Sequence, residues 1–326
     1  MKKTLTSVSV IAGLCAGMVC SAFAGPVESG LGKTKVSGLL QIHYTYDNGA
    51  NPMNMFRFRR AEVKVSGEIN PKILWNVTID PAQVNEDVTR KSPLQDAGVT
   101  LKHCKYMALD LGQFKVPFGM EGLDSSARLD FAERAALSSV FKWSEGRDLG
   151  MMLRSDFKIG DVKIMPFLGI FNGEGQNRAD LNNGKDIAAR LVAMPITALQ
   201  IGVSHYNGKT GAAEAENTHT AGEIRYIMDP ISLYGEYATG KAGTTNKLTY
   251  YASAAYKIND IFSVAARYDF YDANSDTSGN ALADITGGIN YIIDGLTKLQ
   301  LNYVSRSEES LSVSNDIFRC NLQVTY

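Results

Sequence analysis

The sequence predicts an all-β protein, a transmembrane antiparallel up-and-down β-barrel of 16 strands with a long inward-folded loop after strand five. Three observations lead there. Apolar and polar residues alternate with period two through sixteen segments. The connections between those segments alternate between tight turns and longer polar loops. Beyond residue 24 no apolar run reaches the roughly twenty residues that a membrane helix needs. A chain that crosses a bilayer without such helices must close its strands into a barrel, because open strand edges leave backbone groups unsatisfied in hydrocarbon.

Residues 1–24 have the three parts of a cleaved secretory signal peptide: basic Lys2 and Lys3, an apolar run from Val8 to Val19, and the small-x-small site Ala22-Phe23-Ala24 before Gly25. The competing lipoprotein signal would need a small-apolar box before Cys15 or Cys20, and neither cysteine has one. Residues 25–326 then form a single barrel domain. Lys2 and Lys3 are the only charges removed, so 31 basic and 34 acidic residues remain, a net charge of −3 that gives no reason to expect nucleic acid as a partner. Cys104 and Cys320 remain as two thiols or one incidental pair. No cofactor is expected and no metal site is assigned; the Asp- and Asn-rich stretches 180–186 and 272–284 leave metal-binding loops open, although neither has EF-hand spacing.

The alternating segments lie at 34–46, 55–69, 72–80, 96–103, 106–115, 147–158, 162–171, 185–194, 197–206, 218–228, 231–239, 247–258, 261–271, 282–293, 296–305 and 315–326. Tight turns such as Asn70-Pro71, Asp229-Pro230 and Asp294-Gly295 follow the even-numbered strands; longer links such as 81–95, 116–146 and 172–184 follow the odd ones. One rim of turns and one rim of loops is the pattern of an outer-membrane meander barrel. Aromatic residues gather near strand ends, with Tyr237, Tyr250, Phe270 and Tyr303 toward the loop rim and Tyr226, Tyr256, Phe262, Tyr291 and Tyr326 toward the turn rim, as two interfacial girdles would require. The last strand ends on Tyr326 after outward Phe318, Cys320, Leu322 and Val324. This is similar to the C-terminal signal by which the barrel-assembly machinery recognises such proteins.

The segment 116–146 breaks the alternation. Leu129, Phe131, Ala132, Ala135, Ala136 and Val140 recur at roughly helical spacing, and Asp130 and Glu133 would fall in the first turn, where acids suit the helix dipole. A loop carrying a short helix is expected, long enough to bend into the lumen and narrow it. Its charges are mixed, with Arg128, Arg134, Lys142 and Arg147 beside Glu121, Asp124, Asp130, Glu133, Glu145 and Asp148. In strand two, Phe56 and Phe58 share one face while Ala61, Val63 and Val65 share another, so the phase shifts near Arg59 and Arg60, most simply through a β-bulge. The shift aims Arg57, Arg59 and Arg60 into the lumen, with Lys64 further along. Guanidinium keeps its charge and grips oxyanions in a forked geometry, so this cluster favours anions. Arg154, Arg190, Arg225, Arg267 and Arg319 also fall on lumen faces. The second reading of any one of them is a wall brace paired with Glu62, Glu223, Glu236, Asp269 or Asp284.

The pieces FRFRRA (56–61), GQFKVPF (112–118), LDSS (123–126), FAERA (131–135), RDLG (147–150), FNG (171–173) and ARL (189–191) resemble, in order, the phosphate-selective porin O and P family. The resemblance covers about residues 55–195. It implies a homotrimer of sixteen-stranded outer-membrane channels embedded in outer-membrane lipid. Each would be narrowed by a loop after strand five that includes Pro117, Phe118, Asp124, Ser125, Ser126, Phe131 and Glu133. The expected anion path runs along Arg57, Arg59, Arg60, Lys64, Arg128, Arg134, Arg154 and Arg190. Glu62 within the arginine strand and the absence of a global basic excess favour passive diffusion of small hydrophilic solutes with an anion preference, for phosphate or similar, over a dedicated phosphate channel. Two rival readings are a non-conducting structural or adhesive barrel and a barrel enzyme. The latter lacks a serine and acid constellation around His43, His103, His205 or His219.

Overall fold

The computed structural model describes residues 27–29, 32–49, 53–83, 92–140, 146–310 and 313–326. The expected signal segment 1–24 and the loop residues Lys142 and Glu145 lie outside the described residues. A short β1 (Val27–Ser29) precedes β2 (Gly32–Asp47), β3 (Met53–Asn70), β4 (Ile73–Ile79), β5 (Leu94–Cys104) and β6 (Met107–Lys115). After the long loop come β7 (Arg147–Ser155), β8 (Phe157–Ile159), β9 (Val162–Phe171), β10 (Asp186–Ile196), β11 (Leu199–Thr210) and β12 (Ala215–Met228). The chain ends with β13 (Ile231–Ala242), β14 (Thr245–Lys257), β15 (Phe262–Asp272), β16 (Ala281–Ile292), β17 (Thr297–Glu308) and β18 (Ile317–Thr325). Sixteen of these passes build the wall, because β8 completes the crossing begun by β7 on the same neighbour, β9, and β1 only pairs with the foot of β2.

Each wall strand pairs antiparallel with the next, and β18 returns to β2 from Ile317↔Asp47 to Thr325↔Leu39. The C-terminal residue seals that seam. Gly38 N–H donates to Tyr326 O at 2.7 Å, Tyr326 N–H returns to Gly38 O at 3.2 Å, and the Tyr326 hydroxyl reaches Glu62 O at 3.2 Å. A Cβ at position 38 would run into the Tyr326 ring and the Glu62 carbonyl, so the seam needs glycine there.

Alternation puts Leu149, Met151, Leu153, Ile201, Val203, Ile285 and Ile289 on an exposed outer face. So large an apolar surface suits hydrocarbon and not water. Its aromatic belts are built from cross-strand partners: Tyr237 stacks on Tyr250 at 6.2 Å, Tyr250 on Phe270 at 4.9 Å, and Phe262 on Tyr291 at 5.1 Å. The expected phase shift in the arginine strand is present. Gln41 pairs with Arg60 and Ile42 with Phe58, leaving Arg59 as the extra residue of a bulge.

Two expectations need correction. Helical spacing over 129–140 does not make a helix of that length: among its described residues the loop holds a 3-10 turn at Ser126–Arg128 and a four-residue helix α1 (Leu137–Val140). Asp130 and Glu133 lie in the irregular stretch between them, and the apolar residues there are buried by wall contact. The loop-side hairpins also run further than the alternation indicated, with β11 and β12 pairing out to Thr210↔Ala215. Above the apolar band both faces of a hairpin are polar, so the period-two signal stops before the ladder does. Cys104 and Cys320 are not joined in a disulfide.

The seam makes a direct prediction. Gly38→Val forces Tyr326 off the first wall strand and is expected to cost roughly 1–3 kcal/mol, in the range of an overpacked site. The check is the heat-modifiable band shift of the refolded barrel on gels, whose midpoint should fall well below that of the wild type. A wild-type midpoint would show that the terminal ring does not hold the closure.

Candidate functional site

A lumen enclosed by sixteen strands is too wide for wall side chains to fill, and the loop occupies it. The loop leaves β6, the fifth wall strand, and first crosses to the inner face of β9–β13. There Val116, Phe118 and Leu137 pack with Phe171, Ala188, Tyr206, Ala221 and Ala238. Pro117 is buried with them. Further on, Phe131 packs against Ala255 and Ala265, with Gly288 leaving room for the ring. Small wall residues opposite large loop residues give this seat its shape complementarity. Burying one Phe in this way is worth about 1.5–3 kcal/mol.

Backbone groups of an irregular buried segment need partners, and lumen-facing side chains of the wall supply them. Gly119 N–H donates to Ser204 Oγ at 3.0 Å; Met120 and Glu121 N–H donate to the two oxygens of Glu236 at 2.5 and 2.9 Å. Ala132 N–H donates to Asn302 Oδ1 and Ala136 N–H to Asp269 Oδ2, both at 2.7 Å. Lys298 and Gln300 donate to Leu129 O at 2.7 and 3.1 Å, and Gln323 to Ala127 O at 2.9 Å. These bonds explain the missing helix, because N–H groups that bond the wall cannot also close i→i−4 rings.

Glu133 ties the loop to the arginine strand. Its carboxylate receives Arg57 Nη2 at 2.8 Å and a bidentate grip from Arg59, at 2.7 Å from Nε and 2.9 Å from Nη2. Burial alone would raise the Glu133 carboxyl; the charge and hydrogen bond of Arg59, followed by the charge of Arg60, outweigh it and hold the group well below the usual carboxylate range. Arg60 is only 2% exposed, donating to Gln41 Oε1 at 2.7 Å with Glu62 at 3.6 Å, so it is set into the wall and not presented to the lumen. Arg319 on β18 faces the same region, and among the described residues it has no hydrogen-bond or ion-pair partner; its Nε is buried and unsatisfied.

The other candidate residues divide into braces and lining groups. Arg134 is a buried brace, donating to Glu121 O, Asp124 O and Ser126 Oγ at 2.7, 2.9 and 3.1 Å, so its guanidinium holds the loop's own fold. Arg190 grips Glu223, with Nε at 3.0 Å, and Arg154 meets Asp110 at 2.6 Å. Asp124 pairs with Arg225, and Ser125 Oγ caps Ala127 N–H at 3.3 Å. Lys64 is exposed and, with Lys33 and Lys35, lines a recess of about 370 Å³ toward the turn rim. Arg128 is exposed in a larger cavity of about 640 Å³ between the loop and β12–β18.

The sequence alone points to Glu236 and Asp269 only as partners for wall arginines and to Arg319 only as a lumen-facing wall residue, and it does not single out Ser204 or Asn302 as acceptors. Their side of the strand was readable from alternation; their bond to the loop joins residues as far as 170 positions apart and leaves no local signal. Among the described residues no group of three or more His, Cys, Asp or Glu is arranged to hold a metal ion.

A family model described as "Phosphate-selective porin O and P" matches residues 35–212 and 200–326. Solved structures similar in fold include an anion-selective porin from Comamonas acidovorans, at TM-score 0.68 and 11% identity over 90% of this chain and 99% of that one. The outer-membrane channel DcaP of Acinetobacter baumannii gives the same TM-score and identity over 93% and 100%. A trimer form of OmpT of Vibrio cholerae gives TM-score 0.63 and 11% identity over 90% and 99%. No curated protein matches the chain in sequence.

Removing the Glu133 charge should loosen the loop at β3 and leave two guanidinium groups without their acid. Glu133→Gln is expected to give a noisier channel with stronger anion preference, and a barrel destabilised by about 1–3 kcal/mol, a buried-pair loss discounted for partial exposure. A carboxyl whose folded pKa is depressed contributes stability above its unfolded value of about 4.3 and loses it only as pH falls through the folded value. The difference in reversal potential between wild type and variant should therefore stay constant from about pH 7 to pH 5. A difference that closes over that window would show that Glu133 is not held ionised by Arg59.

Proposed function

The chain belongs to the phosphate-selective porin O and P family, and on that premise we propose that it passes small hydrophilic solutes across the bacterial outer membrane by diffusion, preferring anions such as phosphate. The family and the closed sixteen-strand barrel make it an outer-membrane channel. The observation that carries the anion preference is the charge balance where the loop meets β3. Three guanidiniums, those of Arg57, Arg59 and Arg319, act on one carboxylate, Glu133, while Arg60 is matched by Glu62 in the wall. Ion pairing orients most of these groups without cancelling the surplus of two positive charges.

The surplus sets the size of the effect. A unit charge acting at roughly 8 Å through water contributes about 0.5 kcal/mol to a passing monovalent anion, so two contribute about 1 kcal/mol, and salt reduces this further. That predicts a modest selectivity. The support for a homotrimer is the trimer form of the Vibrio cholerae relative in fold. The outward aromatics Phe56, at 79% exposure, and Phe58 supply apolar surface on β3 for a neighbouring subunit or lipid. The C-terminal strand ending at Tyr326 is the proposed contact for assembly machinery. Diffusion through such a lumen involves no catalytic step and needs no cofactor.

Reconstitution in a planar bilayer under a potassium chloride gradient tests the proposal. Channel steps are expected, with a reversal potential of the sign for anion preference and a permeability ratio of about five, the factor left when screening roughly halves the difference of about 2 kcal/mol between an attracted anion and a repelled cation. Arg319→Gln removes a charge that has no hydrogen-bond or ion-pair partner among the described residues and should reduce that ratio about twofold with little change in conductance. Cation preference in the wild type would overturn the arginine assignment, and absence of steps would overturn the channel itself.

A further inference from the structure

The cavity of about 640 Å³ on the turn side of the loop has a lining unlike the rest of the lumen. Lumen walls of wide barrels are polar, yet here Leu129, Ile227, Ile292 and Leu296 face a water-accessible space, with Ile227 and Leu296 about half exposed at 50% and 53%. The ring of Phe131 and the ring of Tyr234 also belong to the lining.

The charges around this space are almost all engaged. Asp124 pairs with Arg225, and the Arg225 guanidinium also lies 5.9 Å from the Tyr234 ring. Asp130 accepts the Tyr234 hydroxyl at 2.5 Å, Lys298 donates to Leu129 O, and Asp294 caps its own turn by accepting from Leu296 and Thr297 N–H at 2.7 Å each. Glu121 accepts Ala135 N–H at 2.7 Å. Arg128 alone among the charged lining residues has no hydrogen-bond or ion-pair partner among the described residues. Its backbone is nonetheless fixed: Arg128 N–H donates to Ser125 O at 3.0 Å, and the carbonyls on either side, of Ala127 and Leu129, are held by Gln323 and by Lys298 with Gln300. A guanidinium on a pinned backbone, uncommitted and beside an exposed apolar surface, is pre-organised to receive an anion without losing an internal bond.

We propose that this turn-side vestibule is a binding subsite for organic anions with an apolar body, a carboxylate engaging Arg128 while an aromatic or short aliphatic body lies across Leu129, Ile227, Ile292 and Leu296. The volume suits one small ligand of this kind. The inference rests on the diffusion-channel reading for its physiological meaning, but the subsite is separate from the arginines around Glu133. It gives the channel a preference by ligand shape, which the inorganic-anion field at β3 cannot supply. It also gives the lumen a sidedness, since the vestibule opens between the loop and the turns at Asp294 and Gly295.

The test uses the full refolded barrel in detergent micelles, with phenylacetate as probe, acetate as the charge without the body, and benzyl alcohol as the body without the charge. Ligand-observed saturation-transfer NMR should show phenylacetate binding at least five times tighter than either control. Arg128→Gln should weaken phenylacetate binding about tenfold, the value of one charge-assisted contact, while leaving the heat-modifiable band unchanged. Equal binding of phenylacetate and acetate, or equal binding to wild type and variant, would overturn the subsite. Bilayer recordings keep the two readings apart. Channel steps without phenylacetate binding would defeat the subsite and spare the channel; binding without steps would defeat the channel and leave a ligand site in a closed barrel.

Discussion

Hydrocarbon offers no hydrogen bonds, so every backbone N–H and C=O of the wall must find its partner in a neighbouring strand. The pairing of β18 with β2 meets that requirement at the last open edge. The rest of the architecture follows from this closure. Alternation is enforced because each strand has lipid on one side and the lumen on the other. Tyr326 and Gly38 are constrained because they finish the seam. Closing at sixteen strands also creates an interior that side chains alone cannot occupy, and the fold answers with a segment of its own chain.

That segment inherits the same constraint in a second form. Its backbone is largely buried and not helical, so its polar groups need acceptors and donors from the wall, and the wall's acids and amides serve as both. Glu236 takes two successive N–H groups, and Asp269, Asn302 and Ser204 take one each. Two of the acids that sequence reading sets against the arginines, Glu236 and Asp269, thus act as loop sockets, while Glu223 and Asp284 do pair with arginines, Arg190 and Arg306. Arginines have a matching division of labour. Arg134 and Arg267 donate to loop carbonyls, Arg190 braces the wall, and the cluster at Arg57 and Arg59 holds Glu133.

Legibility in the sequence tracks the range of the interaction. Lipid contact repeats every second residue and leaves a local trace, so all sixteen wall passes are readable, and even the bulge at Arg59 shows as a slip between Phe58 and Ala61. Where lipid ends the trace ends, which is why the hairpin of β11 and β12 continues unseen from Asn207 to Thr210. The loop's place after the fifth wall strand is readable as a gap in the period. Its conformation is not, because Phe131 packs against Ala255 and Ala265 and Ala132 is held by Asn302, all distant in sequence, and burial of that origin imitates helical spacing.

The same division explains why charge content is a poor guide to selectivity here. The chain carries almost no net charge, −1 over its full sequence, and most lumen arginines meet an acid within hydrogen-bond reach. What a passing solute feels is the residue left after pairing, weighted by distance and screened by water. On the β3 side that residue is positive by two, with Arg319 the member that has no hydrogen-bond or ion-pair partner among the described residues. In the turn-side vestibule the lining as a whole is not positive, with Glu121, Asp124, Asp130 and Asp294 against Arg128, Arg225 and Lys298, but Arg128 is the one charged lining residue without a hydrogen-bond or ion-pair partner among the described residues, set beside exposed aliphatic surface. A lumen built in this way selects by small local imbalances at a few heights. A field so local cannot impose high selectivity on small ions, and it leaves the shape of larger solutes to matter more than their charge.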